Sequence, residues 1–242
     1  MRYSILISGA AQGIGAEIAR VFYQQGYKVG IYDINESLAQ ELANDLGPNA
    51  RAGYLDVSDY SQWQHILKEF TEWAGELNIL VNNAGITKDN AFYRMTAEQW
   101  TNVIDTNLNG VFYACKYQLE QMEKNGGGSI VNIASIHGQV AAPLSPAYTA
   151  SKHAVVGLTK NIAVEYAQKN IRCNDVGPGY IETALLKDNL NKDMMNAVAA
   201  KSAMNRLGTA EEIAELVVFL NSDKSSFTTG SYIIADGGYT AV

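Results

Sequence analysis

The sequence predicts an α/β fold with one seven-stranded parallel sheet covered by helices on both faces. Short apolar runs alternate with segments of helical periodicity along the whole chain. The runs are apolar almost throughout, as strands buried on both faces are, rather than alternating. Apolar residues make up 47% of the 242 positions, enough for a sizeable core, so a single domain over 1–242 is expected.

The elements follow in order. Ser4–Ser8 reads as the first strand. Ile14, Ile18, Val21 and Phe22 then recur at helical spacing, and Gly26 offers a stop. Residues 29–32 form a second strand, and Leu38, Leu42 and Leu46 stripe the second helix. Residues 52–55 make a weaker third strand, followed by a helix marked by Trp63, Ile66, Leu67, Phe70 and Trp73. After a fourth strand at 79–81, Thr96 and Gln99 form a capping box. An apolar face of Trp100, Val103, Ile104, Leu108 and Val111 follows it. Residues 130–133 are the fifth strand, residues 147–168 a long helix, and residues 171–176 the sixth strand. Thr209 and Glu212 open a last helix with Ile213, Leu216, Val217 and Leu220 inward, and Tyr232–Ala235 is the seventh strand. The interval 183–206, rich in Asn, Lys, Asp and Met, interrupts the alternation. An insertion after a strand's C-terminal end lies beside the ligand crevice of such a sheet. It reads as a substrate lid, with a plain surface helix pair as the alternative.

A net charge of −7 argues against a nucleic-acid or anionic-membrane partner, either of which needs a basic face. No run approaches the 18 or so apolar residues of a membrane span. The opening MRYSILISGA is too short an apolar run for a signal peptide, so a cytoplasmic location is expected. Cys115 and Cys173 make neither a disulfide framework nor a metal site and read as reduced core thiols. No metal is expected.

Chemistry concentrates at strand ends. Gly9, Gly13 and Gly15, with Gln12 and Ile14 between them, stand after an apolar strand and before a periodic helix. A tight turn there needs residues tolerant of positive φ, and a phosphate needs unobstructed amides at a helix N-terminus. Asp33 follows 18 residues beyond Gly15, where a carboxylate can accept from both ribose hydroxyls and repel a 2′-phosphate. Neither neighbour, Gln12 or Ile34, is cationic, so NAD is expected rather than NADP. Asp56 and Val57 end the third strand, where the carboxylate can hold an adenine edge; Asn83, Ala84 and Gly85 end the fourth, where small residues let the chain approach a ribose.

Tyr148 and Lys152 lie four apart on one helix and share a face. A nearby ammonium favours the phenolate, which would bring the phenol's pKa toward neutrality. Ser135, 13 residues before Tyr148, can donate to the same substrate oxygen. Asn107 falls on the apolar face of its helix, either holding a water that leads to Lys152 or satisfied by neighbouring backbone. Asp175 lies within a strand and needs a partner, or solvent at a sheet edge.

These residues together resemble the short-chain dehydrogenase/reductase family. The resemblance rests on Ser8-Gly9-x-x-x-Gly13-x-Gly15, Asn82-Asn83-Ala84-Gly85, Asn107, Ser135, Tyr148-x-x-x-Lys152, Gly177-Pro178-Gly179 with Thr183, and Asp236-Gly237-Gly238. It implies a Rossmann-type sheet, a catalytic tetrad of Asn107, Ser135, Tyr148 and Lys152, and a nicotinamide carboxamide met by Ile181 and Thr183. It also implies that Tyr148, Lys152, Pro178 and Gly179 border the cofactor. A homotetramer is implied, with the helices around 97–120 and 147–168 pairing across an interface. Three positions depart from the family: Ser8 stands for its usual threonine, and Asp175 and Gly177 stand where it commonly has small neutral residues such as alanine or serine.

Gly85-Ile86-Thr87-Lys88-Asp89-Asn90 and Arg206-Leu207-Gly208 are similar to 3-oxoacyl thioester reductases, which mostly use NADP. Ser135-Ile136-His137-Gly138 and the C-terminal segment are similar to NAD-dependent 3-hydroxybutyrate or cyclic-alcohol dehydrogenases. His137, Gln139, Tyr180 and Leu185 are the candidate substrate contacts. The reading is an NAD-dependent oxidoreductase interconverting a small-molecule secondary alcohol and ketone. A catalytically idle NAD-binding sensor or scaffold is the alternative.

Overall fold

The computed structural model describes residues 3–183, 186 and 191–241. Seven strands form one parallel sheet: β1 (Ser4–Ser8), β2 (Lys28–Asp33), β3 (Ala50–Tyr54), β4 (Ile79–Asn82), β5 (Gly128–Ile133), β6 (Ile171–Pro178) and β7 (Tyr232–Ala235). Their spatial order is β3-β2-β1-β4-β5-β6-β7, and every pairing is parallel. Helices α1 (Gly13–Gln24), α2 (Glu36–Leu46), α3 (Tyr60–Ala74), α4 (Ala97–Ile104), α5 (Gly110–Lys124) and α6 (Pro146–Tyr166) cross between them. Helices α7 (Lys192–Ala199) and α8 (Ala210–Leu220) precede β7. This is the doubly covered, Rossmann-type sheet that the alternating pattern predicts.

Alternation along each strand splits the core into two layers. Ile5 and Ile7 of β1 face one side, where Ile18 and Phe22 of α1 and Val217 and Leu220 of α8 close over them. Leu6 faces the other, with Leu80, Ile130, Trp63 and Phe70 of α3, and Ile162 of α6. Each such side chain, fully buried, contributes roughly 1.5–3 kcal/mol. Cys115 and Cys173 are free thiols within the second layer.

Several strands outrun their apolar runs, because the parallel ladder continues through polar ends such as Lys28, Asp33 and Asn82. Two expected core residues lie outside. Leu38 is exposed because α2 turns Ala39, Leu42 and Ala43 inward, and Trp100 is exposed because α4 buries only Val103. A π-helical turn at Asp105–Asn109 joins α4 to α5. The buried stripe that starts at Val103 continues through this turn by Asn107, Val111 and Ala114. Of the interval 183–206, the described part is Thr183, Leu186, helix α7 and the turn to Arg206; Leu185 lies outside the described residues.

Candidate active site

All seven strands end on one edge of the sheet. The chain runs outward from β1 to β3, returns, and runs outward again from β4, so the connections leaving β1 and β4 diverge and open a crevice between them.

The turn after β1 fills the crevice floor. Gly9 and Gly13 take φ of +63° and +59°. A Cβ on Gly9 would stand 2.7 Å from Ala84 Cα, and one on Gly15 would stand 2.6 Å from Asn83 Nδ2, so both positions require glycine. Asn83 ties the two loops together: its Nδ2 donates to Gly9 O (2.6 Å) and Ser8 O (3.1 Å), and its backbone N–H donates to Ser8 Oγ (3.2 Å). Serine at position 8 thus keeps the hydroxyl's structural work. Helix α1 starts without a side-chain cap at Gln12 and with no acid in its first turn. Its amides and positive dipole end are left for an external anion.

At the end of β2, Asp33 Oδ2 accepts from Ala11 N (3.0 Å) and Oδ1 from Asn35 N (2.9 Å). The carboxylate therefore orients the glycine turn while facing the crevice rim, with Ile34 exposed beside it. Asp56 Oδ1 accepts from Ser58 N and Oγ (2.9 and 2.6 Å), and Val57 is buried against Gly110. Thr183 Cγ2 lies 3.5 Å from where a Cβ on Gly13 would be, which brings the start of the 183–206 interval across to the phosphate turn. Ile181 is buried and bridges to Gly208, and Gly179 N–H donates to Ala235 O (3.0 Å) after buried Pro178.

Two of the four reacting candidates, Asn107 and Lys152, come together beneath Gly85. A Cβ there would stand 3.4 Å from Asn107 Oδ1 and 3.5 Å from Lys152 Nζ. Asn107 is fully buried on the π turn; Oδ1 accepts from Ile86 N (2.8 Å), and Nδ2 donates to Ile86 O (2.9 Å) and Ser151 Oγ (3.2 Å). Its side chain is thus satisfied by neighbours, the second of the two readings, and a water leading to Lys152 cannot depend on its free amide. Lys152 is buried, donates to Ile133 O (2.7 Å), and places Nζ 5.6 Å from the Tyr148 ring centroid. Ser135 takes extended backbone at the end of β5, and its Oγ accepts from His137 N (3.2 Å).

The electrostatics differ from expectation at the phenol. Burial raises the Tyr148 pKa, and a hydrogen bond with Ser135 works against that rise. The Lys152 ammonium lies 5.6 Å from the phenol's ring centroid and donates to the Ile133 carbonyl, and burial is the largest influence on the phenol. Burial instead lowers the Lys152 pKa to about 8, opposed by the negative charge of Asp175. Burial also holds the His137 imidazole below its ordinary value, so it is neutral at pH 7. Its ring meets Tyr148 edge-on, 5.6 Å between centroids at 83°, and neither ring nitrogen has a hydrogen-bond partner among the described residues.

The other substrate candidates scatter. Gln139 is exposed. Tyr180 packs edge-on against Tyr239 (5.8 Å), in front of a cavity of about 160 Å³ lined by Ile181, Arg206, Glu212 and Asp236. A wider cleft of about 510 Å³ lies beside the start of α6, lined by Phe92, Ala142, Leu144, Ser145, Thr149 and His153. Neither is lined by Ser135, Tyr148 or Lys152. Sequence reasoning missed Ser151, which braces Asn107 from inside the Tyr148–Lys152 segment, and Asp89, which accepts from Ser145 Oγ (2.9 Å) near the cleft. It also missed Tyr232, whose hydroxyl donates to Ser135 O from a strand 97 residues away. Asp175 is not at a sheet edge: β6 lies between β5 and β7, and Thr159 Oγ1 donates to Asp175 Oδ1 (2.7 Å).

The family model described as enoyl-(acyl carrier protein) reductase matches residues 9–240. The cyclohexanol dehydrogenase of Acinetobacter sp. (strain SE19) is 40% identical over 240 residues, covering 98% of this chain and 94% of that protein.

The chain belongs to the short-chain dehydrogenase/reductase family.

The 3-oxoacyl-[acyl-carrier-protein] reductase FabG of Chlamydia muridarum (strain MoPn / Nigg) is 38% identical over 240 residues, covering 96% of this chain and 95% of that protein. The crystal structure of gox2181 superposes with a TM-score of 0.96 at 33% identity, covering all of this chain and 96% of the other. As a short-chain dehydrogenase/reductase the protein is an oxidoreductase of CH–OH groups that uses NAD or NADP. Among the described residues no helix is long and apolar enough to cross a membrane, and no group of three His, Cys, Asp or Glu could hold a metal.

Proposed function

We propose that the protein interconverts a secondary alcohol and a ketone with NAD(H), using Tyr148 as acid and base. The observation that carries this is that Tyr148 hydrogen-bonds with Ser135 and has Lys152 Nζ 5.6 Å from its ring centroid, the ammonium being held on Ile133 O at the end of β5 beneath Gly85. The bound nicotinamide supplies or takes the hydride. Tyr148 gives its phenolic proton to the ketone oxygen in reduction and takes the alcohol proton in oxidation. Ser135 Oγ holds the same oxygen as charge develops on it, worth roughly 3–4 kcal/mol for such a donor. Lys152 would hold the cofactor's ribose and bring a positive charge near the phenol, and Asn107 fixes Ile86 so that the chain above Lys152 stays in place.

Gly9 to Gly15 and the α1 terminus would hold the pyrophosphate, and Asp33 the adenosine ribose. Asp33 favours NAD: its charge repels a 2′-phosphate, and its exposed neighbour Ile34 cannot neutralise one. Asp56 and Val57 would border the adenine, and Asn83 to Gly85 with Pro178, Gly179, Ile181 and Thr183 the nicotinamide half.

His137 supports a substrate carrying a second oxygen near the reacting one. A buried, neutral imidazole beside Tyr148, with both nitrogens unpaired among the described residues, offers one donor and one acceptor. A 3-oxoacyl or 3-hydroxyacyl compound has that oxygen; a simple cyclic alcohol, as in the name of the Acinetobacter relative, lacks it. A homotetramer is part of the proposal, supported by Phe112 and Val164, exposed on α5 and α6.

The test follows NADH absorbance over acetoacetyl-CoA, acetoacetate, cyclohexanone and a steroid ketone, with NADPH in parallel. Turnover with NADH and little with NADPH is expected. NADH binding without turnover of any ketone or alcohol would favour the idle sensor, and equal use of NADPH would overturn the role of Asp33.

A further inference from the structure

A polar layer runs beneath the reacting groups, between the second face of the sheet and α6. Asn82 Nδ2 of β4 donates to Asn132 Oδ1 of β5 (2.8 Å), and Asn132 Nδ2 donates to Thr159 Oγ1 of α6 (2.7 Å). Thr159 Oγ1 in turn donates to Asp175 Oδ1 of β6 (2.7 Å), where the chain ends. All four residues are buried, and Asp175 Oδ2 has no hydrogen-bond partner among the described residues. A carboxylate with one oxygen bare in a closed interior is costly unless a positive charge offsets it.

Lys152 occupies the same layer. It stands seven residues, two turns, before Thr159 on α6, so the two share a face. Its ammonium ends on Ile133 O, one residue along β5 from Asn132, and Asn132 and Ile133 pair with Asp175 and Val176. The other titratable groups toward Asp175 are Lys160 of α6, Tyr232 of β7, Cys173 on its own strand and Cys115 of α5. Lys160 is exposed and screened by water, whereas Tyr232 and both thiols are raised by burial and stay neutral.

We infer that Asp175 is the buried counter-charge of Lys152, a positioning residue that keeps the ammonium protonated in the working pH range. The directions of titration agree with this geometry. Asp175 works against the burial that lowers the Lys152 pKa to about 8. Burial lifts the Asp175 pKa to about 7, with Lys152 among the groups that oppose the rise. Between those values both groups are charged, and each reduces the cost of burying the other.

The inference rests on the proposed role of Lys152 only for its kinetic arm. The direct arm titrates Lys152 in the protein without cofactor, by NMR of ε-¹³C-lysine, assigned with Lys152→Arg. Asp175→Asn should move the Lys152 midpoint down by roughly 1 pH unit. Asp175→Ser, smaller and neutral, should do the same if the asparagine variant folds poorly. In turnover, the alkaline limb of the pH–rate profile should move down by a similar amount. A Lys152 midpoint unchanged in either variant would overturn the inference, whatever happened to stability or turnover, and would leave Asp175 as a partner of Thr159. A midpoint that moves in a protein with no activity toward any ketone would uphold the pairing and count against the proposed reaction alone.

Discussion

Lys152 donates its ammonium proton to the backbone carbonyl of Ile133 at 2.7 Å. That bond anchors a long, flexible cation to the end of β5, beside the ring of Tyr148 and under Gly85. The lysine's position therefore comes from the sheet and not from its own rotamers, and its charge stays where a ribose and a phenol would meet it. Replacing it by methionine keeps most of the stem and removes the charge. Lys152→Met should lower turnover at pH 7 at least about 100-fold and weaken NADH binding, read by fluorescence titration. In the wild type, oxidation should lose rate above pH 8 or so, as the ammonium deprotonates.

The Asp175 carboxyl makes a separate prediction about stability. Its folded pKa, lifted to about 7 by burial, lies above the roughly 3.9 of an unfolded aspartate. Its contribution is therefore fully present below about pH 4 and is lost as pH rises to about 7. Asp175→Asn abolishes that loss. Urea denaturation should show the variant gaining on the wild type between pH 4 and 7, by roughly 4 kcal/mol at the plateau. A difference that does not change across that range would contradict a strained buried carboxyl.

Asp33 has two tasks in one side chain. It receives Ala11 N–H from the phosphate turn, and it stands where an adenosine ribose would lie. Asp33→Ala should raise the NADH Kd about tenfold or more while improving NADPH relative to it. Titration with both nucleotides checks this; a preference for NADH that survives the substitution would remove Asp33 as its cause.

The glycine turn leaves no room for a methyl group. Gly15→Ala would put a Cβ 2.6 Å from Asn83 Nδ2 and 2.8 Å from Ala10 Cα, against backbone that cannot yield locally. It should cost about 1–3 kcal/mol of stability and abolish nucleotide binding. Gly157→Ala within α6, whose Cβ would meet nothing within 4 Å, is the control and should leave nucleotide binding unchanged and raise stability by about 0.5–1 kcal/mol.

Much of this was legible before any coordinates. The sheet was readable because parallel strands buried on both faces are apolar runs, and β1 and β7 end where those runs end. The strand-end residues share one crevice rim because a parallel sheet brings all its C-terminal strand ends to one edge. The exposure of Trp100 was not legible, because α4 is short and buries only Val103; of the two readings of Asn107, only the positions of Ile86 and Ser151 decide for the satisfied amide. The partner of Asp175 was hidden too: Thr159 lies 16 residues upstream on a different element, and tertiary packing alone joins them. The pKa direction of Tyr148 went the other way because burial is the largest influence on the phenol.

His137 separates substrate recognition from proton transfer. Its nitrogens, unpaired among the described residues, lie beside the Tyr148 ring, and its backbone N–H already serves Ser135. His137→Phe should raise KM for a 3-oxoacyl substrate about tenfold or more and leave cyclohexanone nearly untouched. Equal losses on both would assign the imidazole a packing role.

The central claim is that the phenol of Tyr148 carries the proton while a nicotinamide carries the hydride. Tyr148→Phe removes one oxygen from a packed ring and tests this most directly. Single-turnover reduction followed at 340 nm, with NADH binding measured alongside, should show binding within about twofold of wild type and a rate lowered 10²–10⁴-fold. A variant that keeps more than about a tenth of the wild-type rate would contradict the account.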